Sequence, residues 1–371
     1  MGAFLAYFLR LGTLGFGGPI ALAGAMHRDL VETRGWITEE DYQEGLTLAQ
    51  VSPGPLAAQL AIYLGYVRAG ILGANLVGLA FILPSFLMVL ALAALYLKFG
   101  GLSWVQAVFY GVGAAVIGLI AKSAVKLAKS TLKRDPLAWG IFAVTALATA
   151  LTGKEWVLLV VGGGVLFWLV RTKPWRGAGV PAFLPPFWVT GLHGPATLAT
   201  AGGIFLFFAK AGLFVFGSGL AIVPFLRGTV VTEFHWLNER QFLDAVAVAM
   251  ITPGPVVITV AFIGYLVAGP LGAGAAALGV FLPVYLMVVL LAPLLRRHGK
   301  KPGLRALVQG ITAGAAGAIA GSVVVLGRGA IRDLPTALIA LATLLLVWKT
   351  KLPEPLLVLL AAAAGGVLFH G

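Results

Sequence analysis

The chain has 371 residues, 60% hydrophobic and 11% charged, with a mean hydropathy of +1.00 and a net charge of +13. A soluble domain carries about a quarter charged residues, so water is excluded as the main solvent, and the lack of cysteine excludes disulfides and thiolate chemistry. No basic region interleaved with aromatics marks a nucleic-acid surface; the surplus of Lys and Arg reads as positive-inside anchoring in a membrane.

No Asp, Glu, Lys or Arg occurs in 45–67, 69–97, 99–121, 136–153, 245–295 or 306–327. Roughly 20 apolar residues cross a bilayer as a helix, so these runs predict an all-α polytopic membrane protein of about ten to thirteen segments. The alternation of a membrane β-barrel is absent. The opening residues lack a basic n-region and a cleavage site, so they do not read as a removable signal peptide.

In chain order, the first element is the apolar stretch from Phe4 to Met26, interrupted by Gly15-Phe16-Gly17-Gly18-Pro19. Glycines and a proline break a helix near mid-depth, and freed backbone survives there only inside protein or beside a water-filled cavity. The restarting half would aim a positive N-terminus and free amides inward, which suits an oxyanion. Close glycine packing is the competing reading. Arg10 precedes this break as a candidate counter-charge for an anion, or as an interfacial residue. Residues 27–41 hold most of the local charge and read as a loop into an amphipathic helix, with Thr38 and Asp41 as a capping pair and Trp36 as an interfacial anchor.

The second break is Ser52-Pro53-Gly54-Pro55. Ser52 is expected at the N-cap of the restarting helix, its hydroxyl free to cap or to donate to a ligand, with Gln50 and Gln59 as further donors. Glu44, eight residues earlier, is a candidate proton carrier. After the span at about 72–97, Lys122, Lys126, Lys129 and Lys133 are spaced to share one helical face against lipid phosphates.

The pattern then recurs about 200 residues later. Phe8, Gly12, Phe16, Gly17 and Ala21 return as Phe208, Gly212, Phe216, Gly217 and Ala221, and Trp36 as Trp236. Ser52-Pro53-Gly54-Pro55 returns as Thr252-Pro253-Gly254-Pro255, and Gly65-Tyr66 as Gly264-Tyr265. Lys210 matches Arg10, Asp244 matches Glu44, and Ser218-Gly219 stand for Gly18-Pro19, while Met250 replaces Gln50. Candidate substrate-binding residues are therefore Arg10, Gly15, Gly17, Gly18, Gln50, Ser52, Gly54, Lys210, Gly217, Ser218, Thr252 and Gly254; Glu44 and Asp244 are candidate proton-coupling groups. No metal or cofactor site is indicated.

Basic residues assign the repeats opposite orientations. Lys98 stands alone after the span at about 72–97, where the second repeat has Arg296, Arg297, Lys300, Lys301 and Arg305; one span later the bias reverses. Two inverted-topology repeats follow, with broken or re-entrant helices meeting near the bilayer midplane. The division is 1–176 for the first repeat, 177–200 for a connecting, membrane-crossing segment and 201–371 for the second repeat.

At the Gly15–Pro19 run, the Trp36-to-Tyr42 stretch, the Ser52–Pro55 run and their counterparts, the sequence resembles the chromate ion transporter family in its two-repeat form. The resemblance implies efflux of chromate from a bacterial cell across the inner membrane, conferring resistance, with sulfate as a chemically similar competitor. Partners would be the oxyanion and membrane lipid, with a homodimer left open. Spacing alone does not separate chromate from sulfate or another small anion. A membrane-embedded lipid-phosphate enzyme would need clustered carboxylates or a positioned acid/base pair, and the 13 acidic residues form no such cluster within a span.

Overall fold

The computed structural model describes the chain except residues 16–17, 53, 100–101, 153–156, 173–197, 213–221, 299–301, 351 and 370–371. The described residues are helical, without strands. In the first half the helices are α1 (Gly2–Leu14), α2 (Gly18–Met26, extended by a wider-wound turn His27–Thr33), α3 (Glu39–Val51) and α4 (Leu56–Phe99), then α5 (Ser103–Leu132), α6 (Pro136–Thr152) and α7 (Val157–Thr172). The second half repeats this order as α8 (Leu198–Gly212), α9 (Ile222–Arg227, extended by Gly228–Glu233), α10 (Glu239–Ile251), α11 (Thr259–His298), α12 (Pro302–Ala330), α13 (Leu334–Lys349) and α14 (Glu354–Leu368).

Helix α4 is not one rod. Ala69 (φ −153°, ψ 35°) and Gly70 (φ 59°, ψ −147°) leave helical geometry, and the chain folds back on itself there. Gly65 lies against the Gly73 carbonyl and Val77, and Gly78 against Ile62, contacts that a straight helix would hold about 12 to 24 Å apart. Two glycines facing one another let the backbones touch, as small residues do in membrane helix pairs. Gly70 supplies the left-handed turn at no steric cost. The same turn recurs in α11 at Ala268 and Gly269, with Gly264 against Gly272. Each long element is thus a short arm (56–68; to 267) followed by a long helix (71–99; 270–298).

The short arms complete re-entrant hairpins. Helix α3 and arm 56–68 are each 13 residues, about 20 Å, too short for a hydrocarbon core of about 30 Å. They run antiparallel, with the Tyr63 hydroxyl donating to Glu44 and Gly45 packed on Leu60 and Tyr63. The Arg68 guanidinium donates to the Trp36 carbonyl at 3.3 Å, so the hairpin leaves on the side it entered. Helices α1 and α2 behave alike: Phe4 packs on Trp36 at 5.9 Å, and the Arg34 guanidinium lies over Tyr7. The first half therefore holds two hairpins whose tips are the two glycine/proline runs. In the second half Phe207 meets Phe234 and Trp236, each at 5.6 Å, closing the α8–α9 hairpin at its base.

Capping fixes where the hairpin arms start. Thr38 accepts from the Asp41 amide, and Asn238 with Gln241 forms a complete capping box, each satisfying orphan amides at a helix start. At the base of the first hairpins, hydrogen bonds from Gln43 and His27 hold the Glu39 carboxyl below its ordinary range.

The outer helices exchange between halves. Helices α6 and α7 of the first half pack along α12 of the second, while α13 and α14 of the second pack along α5 of the first. Glycines make each seat: Gly317 against Phe142, Gly314 against Val160, Gly111 against Ala361 and Gly118 against Ala340. The equivalent helices α5 and α12 run antiparallel, since Gly327 sits by Ile117 while Gly329 and Arg332 share a cavity with Phe109 and Tyr110.

The core centres on the hairpins, with Phe8, Tyr63, Phe81, Phe208, Phe242 and Phe262 fully buried. The periphery is apolar as well: Leu158 is 78% exposed, Leu151 73% and Leu72 65%. A surface of exposed leucines of this extent is solvated by lipid. Among the described residues, Leu56–Phe99, Ser103–Lys129, Val256–Leu290 and Gln309–Ala330 are long and apolar enough to cross a membrane. The chain is a multi-pass membrane protein.

Candidate functional site

Helix α1 ends at Gly15, whose amide caps the Leu11 carbonyl at 2.7 Å. Helix α3 ends at Ser52 and α10 at Thr252, their amides bonding Leu48 and Val248 carbonyls at 2.9 and 3.1 Å. This corrects the expected N-cap role. Ser52 and Thr252 are the last caps of the incoming arms, and the outgoing arms start at the second proline, with the Gln59 and Ile258 amides donating to the Pro55 and Pro255 carbonyls at 3.0 and 2.9 Å. Proline suits that place, just before the helix, because it has no amide to leave orphaned.

The tips meet at mid-height. Gly54 (φ 135°) lies against Gln59 and Val284, and Gly254 (φ 100°) against Ser85 and the Gly12 carbonyl. Ser85 is the central residue of helix 71–99, and Val284 is the central residue of helix 270–298. Each tip therefore touches the long helix of the opposite half at its midpoint. The Gly254 amide donates to the Gly15 carbonyl at 2.9 Å, and the Ser85 hydroxyl donates to the Gly12 carbonyl at 3.3 Å. Three of the four breaks thus converge. Pro19, Pro55, Gly254 and Pro255 line a common cavity of about 10 Å³, room for one water and not for an oxyanion.

The expectation of free inward amides is therefore modified at Gly254, whose N–H is taken by the other half. Ser52 is 3% exposed and its hydroxyl has no partner among the described residues. The Thr252 hydroxyl instead donates to the Val248 carbonyl at 2.7 Å. Gln59 is fully buried beside Gly54.

The remaining sequence candidates scatter. Gly18 opens α2. Gln50 is exposed on α3, and Arg10 and Lys210 are exposed on α1 and α8 rather than enclosed at the tips. Gly17, Gly217 and Ser218 lie outside the described residues. Glu44 is half-buried under Tyr63, and Asp244 is buried under Tyr96, whose hydroxyl donates to it at 2.6 Å. Lys133 departs from the expected basic face, because it sits past the end of α5 with φ 45°.

Two residues of this region were not singled out from sequence, Ser85 and Tyr96, and Gly12 entered only as a member of the repeat. Ser85 had a signal, being a hydroxyl inside the apolar run 69–97. Tyr96 had none, since its partner is 148 positions away.

The sequence pattern of a family described as chromate transporter matches residues 2–168 and 202–367. A chromate transport protein of Cupriavidus metallidurans is 60% identical over 98% of this chain and 92% of its own length. A probable chromate transport protein of Synechococcus elongatus is 58% identical over 98% of this chain and 94% of its own. A chromate transport protein of Pseudomonas aeruginosa is 33% identical over 98% and 91%. No solved structure matches the chain.

Proposed function

The chain belongs to the chromate transporter family, and from that premise we propose that it exports chromate by alternating access, the three converging breaks at Gly15, Gly54 and Gly254 forming the substrate gate. It is a transporter and not an enzyme. The observation that carries the gate is the Gly254 amide bound to the Gly15 carbonyl, at the height where each second-motif tip meets the middle of the opposite long helix. With a cavity of about 10 Å³, the tips are closed against one another. Parting them frees that amide, and with it the buried Ser52 hydroxyl and Gln59 become a donor set for a tetrahedral oxyanion.

An inverted arrangement of the two halves is part of this reading, and the positions of the hairpin bases support it. The bases of the first-half hairpins lie where helix 71–99 begins, at Trp36 and Arg68. The base of the α10 hairpin lies beyond where 71–99 ends, at Arg240, whose guanidinium donates to Gln106 near the start of α5. Hairpins entering from opposite faces bring their tips together at the midplane, the arrangement that transporters with discontinuous helices use for binding. The antiparallel run of α5 and α12 agrees. The basic end of α5, Lys122 to Arg134, then marks the cytoplasmic face of a bacterial inner membrane.

Direction follows from the substrate's charge. Each charge moved across the membrane potential is worth about 2.3 kcal/mol per 100 mV, so expelling a dianion from an inside-negative cell gains about 4.6 kcal/mol per 100 mV. That sustains a gradient on the order of a thousandfold with no coupled ion. Protonation of Glu44 or Asp244 would add to this drive. Proteoliposomes test the proposal: chromate should leave inside-negative vesicles several times faster than depolarised ones, and sulfate should compete. Flux that ignores the potential, or no chromate flux, would sink it.

A further inference from the structure

Asp244 is the buried carboxylate that the gate itself does not use. It is 3% exposed, and an acid enclosed in a membrane bundle is costly unless it has a partner and a purpose. Its partner is the Tyr96 hydroxyl at 2.6 Å. Tyr96 belongs to the long helix of the first half and Asp244 to the incoming hairpin arm of the second, eight residues before the Thr252 tip. The counterpart Glu44 receives its hydrogen bond from Tyr63 at 2.9 Å, within a single hairpin. The acids correspond but their tyrosines do not, since Phe262 stands where the first half has Tyr63, and of the two contacts it is the Asp244 one that bridges the halves.

Asp244 also has a route to water. A cavity of about 60 Å³ opens between α5, α10 and the end of α12, lined by Tyr110, Arg240, Asp244, Arg332 and Phe369 among others, and that volume holds several waters. It lies at the end of the molecule where Arg240 reaches Gln106. Among the described residues, the charged or titratable groups facing Asp244 are Tyr96 from α4, Tyr110 from α5, Arg240 from its own helix and Arg332 after α12. Glu239 is tied to Arg227, and Asp333 accepts from Tyr110 at 2.6 Å. Helix α11 contributes the uncharged Phe262, edge-on to Tyr96, and the residue after α14 is the uncharged Phe369.

Resting on the transporter reading above, we propose that Asp244 is a proton-binding station open to the Arg332 end of the molecule, and that its protonation loosens the Tyr96 clasp and lets the second-half tip part from the first. The step is simple proton binding: water in the cavity delivers H⁺ to a carboxylate oxygen and no heavy-atom bond breaks. A hydrogen bond to an ionised acceptor is roughly twice as strong as one to a neutral acid, so the proton removes part of what holds the halves together while leaving each half intact. Arg240 and Arg332 are positioning residues, which line the same cavity as the acid. Arriving on one face, such a proton biases the gate from that face.

The chain has no cysteine, so spin labels at Leu102→Cys and Arg328→Cys report the separation of the halves without background. Acidification should shift the conformational populations about fivefold, with Asp244→Asn locked in the acid-like distribution at every pH. Tyr96→Phe should show the same loss of response with the carboxylate retained, which keeps the test open if Asp244→Asn does not fold. Distances that ignore pH with Asp244 in place overturn the proposal, as does a response that survives Asp244→Asn or vanishes in Glu44→Gln. Chromate flux in vesicles should follow the pH on the Arg332 side. A distance response without any chromate flux would fell the transporter reading and leave the station, whereas flux without a distance response would do the reverse.

Discussion

The Ser52 and Thr252 tips share one motif and hold it in different states of satisfaction. At Thr252 the hydroxyl donates into its own helix and the neighbouring Gly254 amide is bound to Gly15. At Ser52 the hydroxyl is buried without a partner among the described residues, beside a buried glutamine. A buried polar group left unpaired costs about 1–3 kcal/mol, so a sequence keeps one only where something else uses it. On the proposed function, the Thr252 tip would act as a brace between halves and the Ser52 tip as a receptor.

The largest effect should come from breaking the brace. Gly254→Ala places a Cβ at φ 100° against Ser85, and strain plus overpacking of about 2–4 kcal/mol should abolish chromate flux and lower the thermal midpoint; Gly254→Ala with wild-type flux would refute the brace. Next is the receptor. Ser52→Ala should weaken chromate affinity about tenfold, as expected for loss of one hydrogen bond to a charged ligand, while stability holds or rises slightly. Thr252→Val should lower stability by about 1 kcal/mol and leave affinity nearly unchanged, so equal affinity losses in the two variants would erase the distinction. Smaller again is Arg10→Gln: from an exposed position it should change chromate uptake into the site only about twofold, and less at high salt, as read in vesicle flux.

The smallest effect lies outside the gate. The Tyr110 hydroxyl, then the Thr336 amide, hold the Asp333 carboxyl below its ordinary range. Its folded form is favoured as the anion, so its contribution is present at neutral pH and lost as pH falls through the depressed value. Asp333→Asn should lower the thermal midpoint by a degree or two at neutral pH and by less in acid.

The repeat and its tips were legible because proline and glycine write backbone shape directly into sequence: Pro53, Gly54 and Pro55 permit no continuous helix. The cap at Ser52 was misassigned because a hydroxyl before Pro-Gly-Pro satisfies either a helix end or a helix start by residue type alone. The fold-back at Gly70 was hard to see among neighbouring glycines, since only the contact of Gly65 with Gly73 distinguishes a turn from a soft helix. Pairings across the halves, such as Tyr96 with Asp244 or α6 with α12, depend on three-dimensional packing between segments that no local pattern records. Arg10 and Lys210 correspond in sequence but are exposed, since helix rotation, not spacing, decides which side a charge presents.

The exchange of α6 and α7 onto α12, and of α13 and α14 onto α5, also constrains how the protein is made. When the ribosome has released the first half, α6 and α7 are already inserted but the helix that seats them has not been synthesised. They must wait in lipid as a loose pair, and final assembly becomes a late, post-insertion event that depends on the last helices of the chain. Truncation before α12 would therefore leave an inserted first half open to degradation, and co-expression of the missing half as a separate polypeptide should rescue it.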